Sequence, residues 1–375
     1  MGNSRKNKTL KLAVVLGGNL GDGLIYSTAL RPLRDRFPDA EITLIAPPTT
    51  LHLFSDLDSV DVRLNAYQLI LGPWIRARIP GRKQLSRWTR WIWSRPLRFD
   101  RVIFLNQFVT RLEIDLLEVF DCDDIWGFTG GGYLDVQRED WDSRLNEAYS
   151  ITKEQRRGDH LLRTLDAFLD QLGCGPVDGR VPFSTKVLEE PNMRPRLAAF
   201  VAEPCGLIFP GCTYRPDIKV WPVERYAQAI TQMLEAQALR RWLVVGKSNE
   251  VDLCEKVVNS TQSLHPGIQI HSECDLDLGE LVALVSRSTF ALGADNGGMH
   301  LAVALDVPSV TILSGAAGNL YFPWGDPHRH RAISKPLDCW HCFYECVHPR
   351  PLCIEDITAA GVAALSDSVI RGSGP

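Results

Sequence analysis

One short segment in the second half of the chain combines residue types that bind anions and hydroxyl groups. It follows an apolar, strand-like run, leads into a helix-like stretch, and contains Asp295, Asn296, Gly297, Gly298 and His300. The first N–H groups of a helix lack backbone partners and favour an anion, and glycines let that anion approach the backbone closely. Asp295 can cap the helix or bind a ligand hydroxyl, and His300 can donate to a phosphate. On spacing alone, a capped helix with a buried histidine remains an alternative.

Two more loops of this half carry polar residues directly after strand-like runs. In "FPGCTYRPDIKVWP", Thr213 and Tyr214 can hydrogen-bond a phosphate, and Lys219 adds a point charge. In "VVGKSNE", Glu250 stands where a carboxylate can accept from a ribose hydroxyl. The structural alternatives are a surface lysine for Lys219 and an acid in the first turn of a helix for Glu250.

Strand-like and helix-like segments alternate in both halves of the chain, which predicts two α/β units with parallel sheets. The first half opens with a strand at 12–16, a helix at 24–37 and the strand "EITLIAPP", and apolar residues at helical spacing predict a helix at 159–172. The proline-broken segment "EEPNMRPRLAAFVAEP" predicts a linker before the second alternation. Ligands of such sheets lie at the carboxyl ends of the strands, and two similar units place a cleft between them.

The composition is that of an ordinary globular enzyme. The chain has 375 residues, of which 45% are apolar and 23% charged, with a net charge of −4. These values favour two domains and exclude a disordered chain or a general nucleic-acid binder. The longest apolar stretches are too short or too interrupted to span a bilayer. The short apolar run near residue 12 has no small-residue cleavage site after it, so we expect a cytoplasmic protein.

A basic, tryptophan-rich stretch, residues 74–101, stands apart from this acidic background. It carries nine arginines and lysines against the single acid Asp100, and Trp74, Trp88, Trp91 and Trp93 are interleaved. One interpretation is a surface for an anionic partner or a membrane face, because Trp and Arg both suit the headgroup zone. The other is a solvated helical face whose tryptophans pack inward.

Four of the ten cysteines lie close together near the C-terminus, in "CWHCFYECVHPRPLC". A C-x2-C-x3-C-x6-C run can wrap one zinc or iron ion or hold an iron–sulfur cluster, so Cys339, Cys342, Cys346 and Cys353 are predicted ligands of a structural metal. Free thiols or a disulfide are the alternatives. The scattered remainder are expected to be buried, reduced thiols: Cys122, Cys174, Cys205, Cys212, Cys254 and Cys274.

Taken together, the three polar loops resemble the donor-binding half of the bacterial heptosyltransferases, glycosyltransferase family 9. The N-terminal segment "VVLGGNLGDGLIYSTALRPLRDRFPDAEITLIAP" resembles the start of that family, a strand followed by a Gly-Asp turn that opens the first helix. The likeness is strong around residues 11–48, 205–226 and 240–313. It implies a GT-B architecture, in which two Rossmann-like domains face each other across a cleft.

The resemblance also implies roles for individual residues. Asp22 would be the general base that takes the proton from an acceptor hydroxyl, in a direct displacement with inversion that needs no catalytic metal. N-capping of the helix is the structural alternative for Asp22. Lys219 and the helix start at Gly297 and Gly298 would neutralise the leaving ADP. The remaining donor-binding set is Thr213 and Tyr214 beside the pyrophosphate, Glu250 on the ribose, Leu276 near the adenine, and Asp295, Asn296 and His300 in the donor pocket.

The resemblance implies that residues 1–190 form an acceptor-binding domain and that residues 191–204 form the linker. Residues 205–335 form the nucleotide-sugar domain, and 336–375 a cysteine-rich segment with a C-terminal helix. The expected donor is ADP-heptose and the expected acceptor a sugar of a lipopolysaccharide core, with peripheral contact to the inner membrane face and no nucleic acid. Alternatives are glycosylation of a protein side chain or a small natural product, and a non-catalytic nucleotide-sugar-binding protein.

One feature departs from the family pattern, and two others bear on alternative functions. Asp295-Asn296-Gly297 replaces the Asp-Thr-Gly or Asp-Ser-Gly of the family, so the hydrogen bonds of this loop are expected to differ. Asp275 and Asp277 have the spacing of metal-dependent glycosyltransferases, but they precede a helical run and are better explained by capping. A dehydrogenase is disfavoured because "GGNLGDG" lacks the G-x-G-x-x-G spacing and "EITLIAPP" ends without an acid.

Overall fold

The computed structural model of the chain describes residues 9–70, 96–189, 193–235 and 239–372. The chain divides into two compact units. The first comprises residues 1–156, 161–178 and 182–184, and the second comprises residues 157–160, 179–181 and 185–375. Each unit contains one six-stranded sheet in which neighbouring strands are parallel.

The first half of the chain forms the first six-stranded sheet, two small two-stranded sheets and the helices around them. The strands are β1 (Lys11–Val15), β2 (Glu41–Ala46), β3 (Val62–Asn65), β4 (Leu97–Arg98), β5 (Arg101–Phe104), β6 (Phe108–Val109), β7 (Phe120–Asp121), β8 (Ile125–Thr129), β9 (Gly132–Tyr133) and β10 (Glu147–Ser150). The helices are α1 (Leu20–Ser27), α2 (Leu30–Arg36), α3 (Pro48–Leu53), α4 (Arg111–Leu117), α5 (Arg138–Asp142), α6 (Lys153–Gly158) and α7 (Leu161–Gln171). The order in the sheet is β10-β8-β5-β1-β2-β3.

The strands of this sheet form because their apolar runs can be buried on both faces. All residues of β1 after Lys11 are buried, as are all residues of β2 after Glu41. Parallel strands covered by helices on both faces require such continuous apolar runs. The core of the unit continues through Phe104 and Trp141, whose rings meet edge to face at 5.0 Å.

The helix predicted at 24–37 is wrong as a single element, because the structure has two helices there. The hydroxyl of Ser27 donates to the carbonyl of Leu24 at 2.7 Å, and that of Thr28 donates to Ile25 at 2.6 Å. Side-chain bonds of this kind compete with the helical ladder. Pro32 also has no N–H to offer the carbonyl of Thr28, so the helix is interrupted between α1 and α2.

The second half of the chain builds the other sheet. Its strands are β11 (Gly206–Phe209), β12 (Arg241–Val245), β13 (Gln269–Glu273), β14 (Phe290–Ala294), β15 (Ser309–Leu313) and β16 (His330–Ser334). Its helices are α8 (Thr185–Glu189), α9 (Pro195–Val201), α10 (Pro216–Lys219), α11 (Val223–Glu235), α12 (Val251–Leu264), α13 (Leu278–Ser286), α14 (Gly297–Ala304), α15 (Leu352–Glu355) and α16 (Ala359–Gly372). A 3₁₀ turn at Ser248–Glu250 precedes α12.

The order of this sheet is β13-β12-β11-β14-β15-β16. From β11 the chain proceeds outward through β12 to β13, and then returns to β14 on the other side of β11. The strand order therefore reverses between β11 and β14, and such a switch point opens a crevice at the carboxyl ends of the two strands. The first sheet reverses in the same way between β1 and β5.

The segment predicted as a linker, 191–204, contains the helix α9 and is attached to the second unit. Just before α9, Arg194 forms a two-pronged ion pair with the carboxylate of Glu280 on α13, at 2.6 Å from Nε to Oε1 and 2.9 Å from Nη2 to Oε2. Bidentate pairs of this kind fix orientation as well as position. The limits assigned to the four predicted domains otherwise stay predictions.

Most of the basic, tryptophan-rich stretch lies outside the residues described here, since residues 71–95 are not among them. Two of its arginines are described, and both are paired. Arg101 Nε lies 2.7 Å from Asp124 Oδ2, and Arg98 Nε lies 3.7 Å from Asp121 Oδ2. Among the described helices, none has both the length and the apolar character needed to cross a membrane.

Candidate active site

The loops that follow β11 and β14 meet at the switch point of the second sheet. The two strands are in register, with Phe209 opposite Gly293, so both end at the same edge. The loop after β11 carries the predicted residues Thr213 and Tyr214 and leads to Lys219 at the end of α10. The loop after β14 carries Asp295. The structure thus brings together two of the three polar loops that the sequence singled out.

Asn296 ties these two loops together. Its side-chain amide donates to the carbonyls of Phe209 (3.1 Å) and Gly211 (2.7 Å). Its Oδ1 accepts from the amide of Met299 at 3.1 Å, which makes Asn296 the N-cap of α14. Both amide hydrogens of the side chain are therefore used inside the protein. We predicted Asn296 as a donor-binding residue, and these contacts give its side chain a bracing role beside the site.

A buried ion pair forms the centre of the candidate site. Lys219 Nζ lies 2.7 Å from Asp295 Oδ2, and the two side chains are only 10% and 11% exposed. His300 Nε2 lies 3.7 Å from the other carboxylate oxygen of Asp295. Lys219 is the last residue of α10, whereas Asp295 precedes the N-cap of α14 and His300 lies in its first turn, so these two short elements position the group of three side chains.

The surroundings hold both partners of this pair in their charged forms. Burial opposes ionisation of Asp295, but the ammonium of Lys219 and the neighbouring His300 outweigh it, so the pKa of Asp295 lies well below its usual value. Burial likewise opposes the charge on Lys219, yet the attraction of Asp295 raises the pKa of Lys219 well above its usual value. A lysine held this firmly protonated can stabilise an anion but cannot act as a base.

His300 is fixed by aromatic neighbours that the sequence did not suggest. Trp324 donates its indole N–H to His300 Nδ1 at 3.1 Å, and the imidazole stacks on Phe322 with ring centres 4.1 Å apart. Because an indole nitrogen can only donate, Nδ1 must be the accepting nitrogen. The neutral ring therefore carries its proton on Nε2, on the side that faces Asp295.

The start of α14 is shaped by close packing as well as by the needs of a ligand. A Cβ atom at Gly298 would lie 2.4 Å from the ring of Phe209. Gly298 is thus required for the contact between α14 and β11. Gly297 and Gly298 both remain partly accessible, so the first amides of α14 can still meet an anion.

The third predicted loop joins the first through Lys247, a residue that our sequence interpretation missed. Lys247 Nζ donates to Thr213 Oγ1 at 2.5 Å, and its backbone amide donates to Glu250 Oε2 at 2.9 Å. A Cβ atom at Gly211 would lie 2.4 Å from Glu250 Oε1, so the carboxylate of Glu250 covers the loop after β11. The signal for Lys247 was present in "VVGKSNE", where the lysine stands two residues after the end of a buried strand.

The remaining predicted donor-binding residues lie at the rim of the same sheet edge. Tyr214 is 54% exposed, and its ring meets that of Tyr344 edge to face at 4.9 Å. Leu276 is partly exposed and follows the edge strand β13. Asp277 accepts from the amide of Glu280 at 2.8 Å and is the N-cap of α13, which agrees with the capping interpretation of this acid.

In the first unit, Asp22 lies at the carboxyl end of β1, in the first turn of α1. Its Oδ2 accepts from the amide of Asn19 at 2.9 Å, so it satisfies a helix-start donor. The N-cap is Asn19 and Asp22 is the third residue of the helix, so the alternative of an N-capping Asp22 is wrong about the position. Gly18 has φ of 78°, and a Cβ there would lie 2.6 Å from the carboxylate of Asp22. The side chain of Asp22 is half-buried.

A second carboxylate under this turn was not predicted. Glu113 is fully buried, and its Oε2 accepts from the amide and hydroxyl of Thr110 at 2.8 and 2.6 Å. Its Oε1 has no hydrogen-bond partner among the described residues and lies against Gly17. Burial raises the pKa of Glu113, and Asp22 adds to that effect. Asn106 completes the turn by accepting from the amide of Gly17 at 2.7 Å.

The four C-terminal cysteines line one small cavity, together with Trp340 and His348. Within the part of the chain that the structure describes, no group of three or more His, Cys, Asp or Glu side chains is arranged so that it could hold a metal ion. The predicted metal site is therefore not shown by the geometry. The other six cysteines are free thiols, of which Cys122 and Cys274 are only half-buried rather than buried as predicted.

Two parallel α/β sheets, each with a switch point, make up the two Rossmann-like units of a GT-B fold, and the second sheet carries a site suited to an anion. The sequence matches the family model described as glycosyltransferase family 9 (heptosyltransferase) over residues 140–348, which is more than half of the chain. The chain therefore belongs to glycosyltransferase family 9, as the sequence resemblance indicated, and no curated protein matches it.

Solved structures share the fold at low sequence identity. A family 9 glycosyltransferase from Veillonella parvula is 16% identical with a TM-score of 0.69, over 99% of this chain and 100% of that one. The ADP-heptose lipopolysaccharide heptosyltransferase II of E. coli is 16% identical with a TM-score of 0.65, over 96% and 99%. The dodecameric, iron-containing glycosyltransferase TibC of E. coli is 14% identical with a TM-score of 0.53, over 98% and 77%.

Proposed function

We propose that this glycosyltransferase transfers a heptose from ADP-heptose, with inversion and without a catalytic metal, to a sugar hydroxyl of a lipopolysaccharide-core-type acceptor. The observation that carries the proposal is the buried group of Lys219, Asp295 and His300 at the switch point of a family 9 sheet. The name of the E. coli ADP-heptose lipopolysaccharide heptosyltransferase II, which has the same fold, supports this donor and this acceptor.

In the proposed reaction, Asp22 accepts the proton of the acceptor hydroxyl as that oxygen attacks the anomeric carbon. The new carbon–oxygen bond forms on one face of the sugar while the bond to the diphosphate breaks on the other. The electron pair of the broken bond leaves with ADP. Lys219 and the first amides of α14 stabilise the charge that develops on ADP, each by about 2–4 kcal/mol if it acts like an oxyanion-hole donor.

Asp295 gives Lys219 its position in this scheme. An unpaired ammonium in a buried site would lose its proton or turn toward solvent, whereas the carboxylate keeps it charged and pointed at the crevice. In the same scheme Thr213, Tyr214 and Lys247 bind the phosphates, Glu250 binds the ribose hydroxyls and Leu276 contacts the adenine. His300 presents its Nε2 proton near Asp295 and completes the donor pocket.

A structural zinc or iron at Cys339, Cys342, Cys346 and Cys353 is also part of the proposal. The thiolate donor set suits these ions, and backbone N–H groups of Tyr344 and Gly315 approach the sulfurs of Cys342 and Cys353. When bound, the metal would hold the segment in shape and take no part in the chemistry. Elemental analysis of protein purified without chelator tests it, and less than about a tenth of an equivalent of any metal would refute the idea.

Thermal unfolding in the presence of different nucleotide sugars tests the donor. A ligand that binds only the folded state raises the melting temperature by mass action. We expect ADP and ADP-heptose to raise it, whereas UDP- and GDP-sugars at the same concentration leave it unchanged. A shift with UDP- or GDP-sugars alone would contradict the ADP assignment.

The acceptor is tested separately, because a protein side chain or a small natural product would need the same donor site. In one reaction, purified protein and radiolabelled ADP-heptose are incubated with lipopolysaccharide core precursors. In a parallel reaction, they are incubated with a cell extract from which lipids have been removed. Label in the precursor supports the proposed acceptor. Label in a protein band of the extract alone would replace it with a protein acceptor.

A further inference from the structure

The segment 339–346, here called the cysteine loop, lies directly against the loops of the candidate site. The amide of His341 donates to the carbonyl of Gly315, and the amide of Phe343 donates to that of Ala316, both at 2.9 Å. These two carbonyls belong to the loop that follows β15, the neighbour of β14 in the sheet. The cysteine loop is therefore fixed to the same carboxyl edge that carries the predicted donor site.

Tyr344 is the residue of the cysteine loop that reaches this site. Its carbonyl accepts from Arg215 Nη1 at 2.9 Å, and its ring lies against that of Tyr214. Its phenol also lies within electrostatic range of both Lys219 and Asp295. The loop after β11 thus holds Tyr344 through both its backbone and its ring.

The backbone around Tyr344 adopts a conformation that ordinary residues avoid. His341, Phe343 and Tyr344 have φ of 64°, 50° and 69°, and Arg215, which binds the carbonyl of Tyr344, has φ of 50°. Left-handed conformations of non-glycine residues persist only where the surrounding structure holds them, and they cluster at ligand sites. Here the hydrogen bonds to Gly315, to Ala316 and from Arg215 hold the cysteine loop, and its shape presents the ring of Tyr344 to the site.

We propose that Tyr344 is a donor-binding residue whose phenol hydroxyl donates a hydrogen bond to the diphosphate of the nucleotide sugar. This inference rests on the proposed function. A phenol is protonated at neutral pH and is therefore a hydrogen-bond donor for phosphate oxygens. The hydrogen bonds of Tyr344 with other described residues use its backbone: its carbonyl accepts from Arg215, and its N–H approaches the sulfur of Cys342. Within the described part of the chain its hydroxyl is therefore available to a ligand drawn in by Lys219.

The experiment is isothermal titration calorimetry of the full-length protein with ADP and, in a separate titration, with adenosine. In Tyr344→Phe, which removes only the hydroxyl, the Kd for ADP is expected to rise about tenfold, as for the loss of one hydrogen bond to a charged group. The Kd for adenosine, which has no phosphate, is expected to stay unchanged. Tyr67→Phe, a change at an exposed tyrosine of the first unit, is the matched control and keeps the wild-type Kd for ADP.

The melting temperature of the ligand-free variant separates lost binding from lost folding, and it is expected to equal that of the wild type. An unchanged Kd for ADP in Tyr344→Phe would overturn the inference. So would an equal loss for ADP and adenosine, because Tyr344 would then act on the nucleoside. If the wild type bound no ADP, the proposed function would fail. If the wild type bound ADP and Tyr344→Phe bound it with the same Kd, only this inference would fail.

Discussion

Lys219 and Asp295 form a buried ion pair, with 2.7 Å between Nζ and Oδ2, at the point where the second sheet reverses its strand order. Lys219 comes from the loop and short helix after β11, and Asp295 comes from the turn after β14. Neither charge could be buried there alone, because an isolated ion in a low-dielectric site is strongly disfavoured. The pair therefore couples the stability of the second unit to the electrostatics of the candidate site.

Lys219→Met should impair both stability and donor binding. It removes the cation and leaves the carboxylate of Asp295 buried without its partner, which costs about 3–5 kcal/mol of unfolding free energy in comparable buried pairs. Urea unfolding followed by circular dichroism measures that cost, and ADP titration measures the loss of binding. The matched control is Lys335→Met, which breaks the half-exposed pair with Asp356 at 2.8 Å and should cost less than about 1 kcal/mol.

The double variant Lys219→Met/Asp295→Asn separates the two effects. Without either charge, much of the lost unfolding free energy should return, while ADP binding stays weak because the cation is still missing. Equal stability of Lys219→Met and the wild type would show that the pair is solvated in solution, contrary to this structure.

The pH dependence of stability should contain a contribution from His160. Burial lowers the pKa of His160 to about 4, with a smaller contribution from His300 in the same direction, while a hydrogen bond with the backbone of Tyr321 opposes it. In the unfolded chain His160 has an ordinary histidine pKa near 6.5. Between about pH 6.5 and about pH 4 the unfolded chain therefore binds a proton at this residue, whereas the folded protein does not. The unfolding free energy should therefore fall as the pH drops from about 6.5 to about 4, by up to about 3 kcal/mol.

His160→Gln should flatten this slope, whereas His328→Gln, at an exposed histidine, should leave it unchanged. Asp295 does not contribute in this window. Its depressed pKa means that its stabilisation is lost only as the pH falls through a value well below 4. Identical slopes in His160→Gln and the wild type would assign the pH dependence to other groups, such as the buried His330.

Sequence alone located the strands and the site loops because both depend on local pattern. Continuous apolar runs fix β1, β2, β11 and β14, and turns rich in Gly and Asp follow two of them. The roles that the sequence did not show depend on contacts between residues that are distant in sequence. The carbonyls that bind the side chain of Asn296 lie 85 and 87 positions earlier in the chain. Trp324 and Glu113 likewise acquire their roles only when the fold places them next to His300 and Gly17.

The same reasoning explains the error at α1 and α2. The sequence predicted one helix across residues 24–37, following the Gly-Asp turn and ended by Pro38 and Asp39. The interruption depends on the side-chain bonds of Ser27 and Thr28 and on the absent N–H of Pro32, and none of these disturbs the spacing of apolar residues. Patterns of burial predict where a helix faces, whereas backbone hydrogen bonding decides where it ends.

Asp22→Asn should abolish glycosyl transfer and preserve both the fold and ADP binding. The amide oxygen of asparagine can still accept from the amide of Asn19, so the start of α1 stays closed. The side chain can no longer take a proton, and loss of a general base lowers kcat by about 100-fold or more. Single-turnover transfer and ADP titration on the same preparation measure the two effects, and full transfer activity in this variant would contradict the role of Asp22.

Gly298→Ala should weaken ADP binding by displacing the start of α14. The added Cβ would lie 2.4 Å from the ring of Phe209, which is only 5% exposed, so neither group can yield without moving a helix or a strand. Overpacking of this kind costs about 1–3 kcal/mol. Because the first amides of α14 would move with the helix, the Kd for ADP should rise together with the loss in unfolding free energy.

Gly158→Ala is the matched control, since a Cβ there meets no atom within 4 Å and stability should stay the same or increase. In the double variant Gly298→Ala/Phe209→Leu, the smaller side chain makes room for the new methyl group. Two residues in direct contact should then show non-additive unfolding free energies, with the double variant more stable than the sum of the single losses predicts. Strict additivity would mean that the alanine is accommodated elsewhere, and the requirement for glycine at this position would then lie in the approach of the ligand rather than in the packing of α14 on β11.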